Sequence, residues 1–280
     1  MPSLPPIRPE DEDVALKLRP DGAFHPAADS HDPALFVYLQ RLGDDSLVLG
    51  QRLSEWCGHA PSVEVDLSLA NMALDLIGQA TFFLNAAGEA EGQGHDGDAL
   101  AFHRDVFDFR NCLLVEQPNG DFARTMARQF LFSTWQRLLF DRLASSAHAS
   151  IAAVAAKAVK EVAYHEELAA EWVIRLGDGT EESAQRMRDG LDWCWRFVPE
   201  LFDLDDVVRD LVARGIAADP ATFRAAYDAR IDAVLGEARL ERPKDQRPIL
   251  GGRDGHHSEH LGHLLAVMQH IPRSYPDATW

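Results

Sequence analysis

The feature that most constrains the fold is a long helical segment near the middle of the chain, residues 150–177. It is rich in alanine, it contains no proline, and its only glycine is the last residue, so no residue interrupts a helix of about eight turns. Glu161 and His165 lie near its middle, four residues apart and therefore on one face. This pair is typical of a metal-binding helix in a bundle, but a helix without metal can also carry it.

Three further segments with the helical spacing of apolar residues precede this one. They cover residues 34–58, 65–89 and 122–145. Gly43 is a weak point in the first, which could begin beyond it, and Asp121 is the predicted N-cap of the third. Short links join the members of each pair, and the irregular residues 88–119 lie between the pairs. This order predicts an all-α, ferritin-like four-helix bundle with one long crossover, at about residues 35–177.

The remainder of the chain is predicted to add C-terminal helices to this bundle. Accessory helices are expected between about residues 180 and 270, with an acidic loop and a short helical turn at residues 203–210. No segment shows the alternation of a strand. Residues 33–280 are therefore expected to form one helical domain. Residues 1–32 are proline-rich without an apolar stretch, which predicts a disordered extension and not a signal peptide.

The charge balance excludes several classes of partner. There are 45 Asp and Glu against 27 Lys and Arg, a formal net charge of −18, which disfavours nucleic acid and anionic membrane surfaces. No uninterrupted run of about 18 apolar residues is present, so no membrane span is expected. Cys57, Cys112 and Cys194 form no Cys-x-x-Cys pair. This cysteine usage favours a reducing compartment, the cytoplasm.

The four helices can be compared with the ligand set of a di-iron bundle. Such a site takes one Glu from each of two helices and Glu-x-x-His from each of the other two. Here one helix has an Asp with Gly three residues later, another has a Glu with Tyr three residues later, and the third helix has Gln at its midpoint. Two central carboxylates and one histidine are too few for two irons. The degenerate positions are Asp75, Gly78, Gln129, Glu161, Tyr164 and His165.

The two remaining carboxylates need another role if no metal is bound. A buried charge must be paired, so we predict that Lys160 pairs with Asp75 and Glu161 inside the bundle. An independent di-iron or other metal-dependent oxidoreductase of the ferritin-like class stays open as the alternative function.

A histidine cluster near the C-terminus is a second metal candidate. His256, Glu259 and His260 match the H-x-x-E-H pattern of one class of zinc enzymes, and His263 follows one turn later. The only downstream carboxylate is Asp277, so a structural or interface role is favoured over zinc. The adjoining residues 251–255 are glycine-rich but follow no strand, which argues against a phosphate-binding loop.

Several longer blocks of sequence resemble one protein family. The chain is similar to the C subunits of phenylacetyl-CoA epoxidase, and the blocks extend from about residue 38 to about residue 270. The blocks are residues 42–61, 66–71, 75–80, 114–123, 158–165 and 257–262, with Met268 and Gln269. They are long and specific, and the proline-rich N-terminal residues lie outside them.

The resemblance implies a role in aerobic phenylacetate catabolism. It implies a complex similar to bacterial multicomponent monooxygenases, in which a catalytic A subunit holds the di-iron centre and epoxidises the aromatic ring of phenylacetyl-CoA with oxygen. A reductase subunit supplies electrons from NADPH and a small B subunit bridges the assembly. The C subunit is the metal-poor, ferritin-like partner, which implies that this chain has no cofactor or catalytic residue of its own.

Overall fold

The structure is a computed structural model that describes residues 31–276 and residue 278, so the predicted extension at residues 1–32 lies almost entirely outside the described residues. The described part contains helices and no strand. The α-helices are α1 Pro33–Ser54, α2 Val63–Glu91, α3 Gly97–Phe102, α4 Leu113–Glu116, α5 Phe122–Leu143, α6 Ala149–Gly177, α7 Glu181–Trp195, α8 Asp206–Ala213, α9 Ala221–Glu237, α10 Glu259–Met268 and α11 His270–Ser274.

The four long helices form the predicted bundle. α1 packs along α2 and α5 along α6, and contact between α2 and α6 joins the two pairs. The crossover between the pairs contains α3 and α4, as the irregular residues 88–119 predicted. α7 and α9 pack outside the bundle against α5 and α6, whereas α8 packs against α1. The all-α, ferritin-like fold with added C-terminal helices is confirmed.

Side-chain caps explain where the long helices begin. Asp121 Oδ1 accepts a hydrogen bond from the backbone N–H of Arg124 at 2.9 Å, which confirms its predicted capping role. Asp32 caps α1 and Ser62 caps α2 in the same way. Two expectations were wrong in detail. Residues 206–213 form the complete helix α8, and residues 258–271, whose sequence predicts one final helix, are divided between α10 and α11.

Gly43 does not interrupt α1, although its residue type suggested a weak point. The helix continues through it because the glycine lies where α2 approaches most closely. A Cβ atom at residue 43 would lie 2.7 Å from the side chain of Leu84, which is itself buried. Glycine at residue 43 lowers the intrinsic stability of the helix, but it allows α1 to pack closely on α2.

α2 is more apolar than a typical surface helix. Among the described residues it is the one helix long and apolar enough, by length and composition, to cross a membrane, and 44% of its most apolar window is buried in the protein. A core helix of a globular protein has the same properties. The buried share packs against α1, α3 and α6, and the exposed share forms a separate surface of the bundle.

The C-terminal end of α2 carries a pH-dependent contact. His95 Nδ1 lies 2.6 Å from Oε2 of the buried Glu91, and this contact raises the pKa of His95 against the opposing effect of burial. Because the pKa of His95 is higher in the folded state, the contact stabilises the fold fully at pH values below the unfolded-state pKa of about 6.5. This contribution is lost as the pH rises through the folded-state pKa. We expect His95→Gln to lower the free energy of unfolding more at pH 6 than at pH 8.5, as measured by urea denaturation. An equal loss at both pH values would contradict this assignment.

Candidate functional site

Two polar pairs join α2 to α6 where a metal site would lie. His165 Nε2 is 3.0 Å from Asp75 Oδ2. One turn along, Gln79 Nε2 donates to Glu161 Oε2 at 3.1 Å, and Gln136 Nε2 of α5 donates to Gln79 Oε1 at 3.2 Å. The helices are antiparallel, so residues four apart on α2 meet residues four apart on α6. The carboxylates of both helices are thus engaged by neighbouring side chains of this chain.

Gly78 and Tyr164 stand at the histidine positions of the Glu-x-x-His pattern, and they do not take part in the hydrogen bonds between α2 and α6 described above. Tyr164 is 47% exposed and its hydroxyl lies 3.4 Å from Ser68 Oγ. A Cβ atom at Gly78 would have no neighbour within 4 Å. His165 is fully buried because one further residue rotates the side chain by about 100° around the helix. The imidazole that stands one residue late in the pattern therefore faces inward.

Gln129 of α5 is not brought together with these pairs. Its side chain is fully buried, and neither its Oε1 nor its Nε2 has a hydrogen-bond partner among the described residues. The hydroxyl of Ser133 donates to the Gln129 backbone carbonyl at 2.6 Å. The amide therefore occupies the bundle interior without joining the Asp75 and Glu161 contacts.

The predicted buried pairing of Lys160 is wrong. Lys160 is exposed and lies on another face of α6, where it lines a groove with Asp141 and Glu166. Its position immediately before Glu161 rotates it away from α2. It therefore cannot meet the Asp75 side chain across the line of contact between α2 and α6, called the seam below. The uncharged Gln79, which no sequence pattern had identified, donates to the Glu161 carboxylate in place of the lysine.

The donors on the seam do not fit a di-iron centre. Within residues 31–276 and residue 278, no group of three or more His, Cys, Asp or Glu side chains is placed to hold a metal ion. The seam offers one imidazole, two carboxylates in separate pairs and an amide. A di-iron site requires four carboxylates and two imidazoles that converge.

The histidine cluster has a structural role at His257. Both the imidazole and its partner Glu116 are fully buried: Nδ1 lies 2.7 Å from Glu116 Oε2, and Nε2 lies 3.0 Å from the Phe109 carbonyl oxygen. His256 and Glu259 are exposed and do not converge with His260. The cluster therefore fastens the start of α10 to the crossover segment through His257.

The glycine-rich loop binds an internal carboxylate. Glu200 Oε1 accepts the backbone N–H groups of Gly251, Gly252 and Arg253 at 2.9, 2.8 and 3.4 Å. Its other oxygen accepts the N–H of Leu113 at 2.6 Å. Burial raises the pKa of Glu200, and Arg253 and these N–H groups oppose the rise. The N–H groups that could have cradled a phosphate are thus occupied.

Two adjacent aspartates of α1 complete a buried charge network. Asp44 and Arg104 are both fully buried and form a two-point ion pair, with Nη1 3.0 Å from Oδ2. Asp45 pairs with Arg253, whose Nη2 lies 2.7 Å from Oδ2, and accepts the N–H of Cys112 at 2.7 Å. Burial raises the pKa of Asp45, and Arg253 opposes this rise. No pattern in the sequence identified these partners, which lie 60 or more residues away.

Several of the buried charged and imidazole side chains lie in the blocks that carried the family resemblance. Asp44 and Asp45 belong to residues 42–61, Glu116 to residues 114–123 and His257 to residues 257–262. They connect α1, the crossover and the loop before α10: Glu116 pairs with His257, whereas Asp44 and Asp45 pair with Arg104 and Arg253 outside the blocks. These four side chains therefore stabilise the architecture.

Comparisons with known proteins agree with the resemblance. The family model described as phenylacetic acid catabolic protein matches residues 23–280. A relative from Escherichia coli (strain K12), the C subunit of 1,2-phenylacetyl-CoA epoxidase, is 50% identical over 246 residues, covering 88% of this chain and 99% of the relative. The resemblance inferred from the sequence blocks is confirmed. The chain belongs to the phenylacetic acid catabolic protein family.

Proposed function

We propose that this chain is a non-catalytic structural subunit of a phenylacetyl-CoA epoxidase. In this assignment it packs against a catalytic A subunit that holds the di-iron centre, and it binds no cofactor of its own. The reductase supplies NADPH-derived electrons to the A subunit and contacts this chain only indirectly, whereas the small B subunit bridges the assembly. The complex acts in the cytoplasm. The E. coli relative, named as the C subunit of the epoxidase, supports this choice.

The pairing across the α2 and α6 seam is the observation that carries the proposal. Asp75 is engaged by His165 and Glu161 by Gln79, so both carboxylates at ligand positions are used within the protein. The positions that would supply the two imidazoles are Gly78 and Tyr164. A bundle of this kind keeps the shape of a di-iron protein and can support the ligand helices of a homologous chain by packing beside them.

Co-expression with the A subunit tests the proposed role. We expect the tagged chain to co-purify with the untagged A subunit in a fixed ratio, as measured by size-exclusion chromatography with light scattering. Obligate interfaces of this kind bury more than about 2,000 Å², and we expect the complex to remain associated during chromatography. Recovery of the two chains as separate monomers would contradict the proposal.

A further inference from the structure

One face of α2 exposes a row of large apolar side chains. Val63, Leu67, Leu74 and Phe82 are 73%, 62%, 66% and 53% exposed. Their spacings of four, seven and eight residues place them on a single helical face. Single exposed apolar residues are ordinary, but a contiguous row on a helix is typical of a surface that contacts another protein.

A groove runs beside this row, between α2 and α6, with a volume of about 570 Å³. Leu74, Phe82 and Val154 are among its apolar lining residues. Three carboxylates also line it, and its lysine, Lys157, holds the ammonium group 5.5 Å from the centre of the Phe82 ring. The carboxylates are Asp75, Glu89 and Glu161. The groove is thus apolar on its walls and acidic in its charge.

Gly78 lies in this groove, between Leu74 and Phe82. A glycine inside a long helix lowers helix stability, and here no internal packing requires it, because a Cβ atom would meet nothing within 4 Å. This differs from Gly43, where the Cβ atom would collide with Leu84. The absence of a side chain at residue 78 leaves the α2 backbone open to close approach from outside the chain.

We propose that the groove between α2 and α6 docks a helix of a different chain, with an apolar ridge seated over Gly78 and Lys or Arg side chains facing the exposed Glu89 and the exposed part of Asp75. The inference rests on the proposed function, which makes this partner the catalytic A subunit. Charge complementarity selects a different chain over a second copy. A two-fold contact between identical faces would bring the same carboxylates together on chains that each carry −18.

The test uses one substitution in the groove and a matched control elsewhere. Gly78→Leu fills the space over the α2 backbone, and Gly236→Leu introduces the same side chain on α9, where a Cβ atom also meets nothing within 4 Å. The dissociation constant for the purified A subunit is measured by biolayer interferometry for each full-length variant. We expect Gly78→Leu to weaken binding by about 30-fold or more, while Gly236→Leu leaves it within about twofold.

A stability measurement separates lost docking from lost folding. Both variants replace a helical glycine by a good helix former in open space, so the melting temperature of each should be equal to or above that of the unmodified chain. Association with the A subunit should also slow as ionic strength rises, because the facing charges are opposite. This dependence on ionic strength is expected in the association rate constant as well as in the dissociation constant.

Three outcomes would overturn the inference in different ways. Equal affinity of Gly78→Leu and the unmodified chain would refute the groove as the docking surface and leave the proposed function intact. Failure of the unmodified chain to bind the A subunit at all would refute the proposed function and this partner together. Self-association of the unmodified chain that Gly78→Leu abolishes would show that a second copy occupies the groove.

Discussion

Arg104→Met is expected to lower the free energy of unfolding by about 3–5 kcal/mol. The guanidinium is fully buried against Asp44, and it also donates to the backbone carbonyls of Leu100 and Asp108. Methionine keeps much of the volume but removes every donor. The Asp44 carboxylate would then remain buried, with the N–H of Arg110 as its remaining donor. An unpaired buried charge is among the most destabilising changes in a protein core.

Urea denaturation followed by circular dichroism measures this loss. Arg175→Met is the control, because Arg175 pairs with Glu171 on the surface and both side chains are more than half exposed. It should change stability little, since exposed ion pairs contribute little. The double variant Asp44→Asn with Arg104→Met should recover part of the loss, because it removes the unpaired charge. Equal, small effects of Arg104→Met and Arg175→Met would show that the buried pair is not important for stability.

Glu200→Ala is expected to have the next largest effect, about 3 kcal/mol or more. Its two oxygens accept four backbone N–H groups, and each donor left unsatisfied in the interior costs about 1–3 kcal/mol. The loss should be local at first, because three of these donors belong to the glycine-rich loop before α10. Hydrogen exchange of residues 251–253 should therefore accelerate well before global unfolding.

Glu200→Gln is the matched variant for this prediction. It keeps one carbonyl oxygen and nearly the same shape, so it should lose clearly less stability than Glu200→Ala. Burial raises the pKa of Glu200, and Arg253 and the backbone N–H groups oppose the rise; we expect the acceptor oxygens to account for most of the effect. Unchanged exchange of residues 251–253 in Glu200→Ala would contradict the role assigned to this carboxylate.

The sequence predicted the helices because their signals are local. The periodicity of residues 150–177 and the cap at Asp121 depend on neighbours within a few residues, and both matched the structure. The order of long helices and the irregular crossover then indicated the bundle. Gly43 shows the limit of this reasoning: its propensity suggested a break, but the contact with Leu84, far away in the chain, decided the outcome.

The candidate site could be predicted only in part, for the same reason. The shortage of ligands was visible in Gly78 and Tyr164, since residue identity alone excludes them as imidazoles. The partners of the remaining carboxylates were not visible. Lys160 was the nearest opposite charge in sequence, whereas His165 and Gln79 are the partners in space. Pairing depends on the rotation of each residue about its helix and on which helix lies opposite.

The buried charges give the family blocks a physical meaning. Asp44, Asp45 and Glu116 are buried, and each has a cationic or imidazole partner in another segment. Such pairs tolerate little change, because loss of one partner leaves the other buried and uncompensated. The demand for such pairing is a structural reason for similarity at these positions.

The most direct test of the central claim is iron content and turnover measured on the same purified samples. The chain alone, loaded anaerobically with ferrous iron and desalted, should retain far less than the about two irons per chain of a di-iron bundle. With reductase, NADPH and phenylacetyl-CoA it should form no epoxide, and addition of the A and B subunits should start turnover. Retention of about two irons per chain, together with epoxide formation by this chain and the reductase alone, would contradict the account.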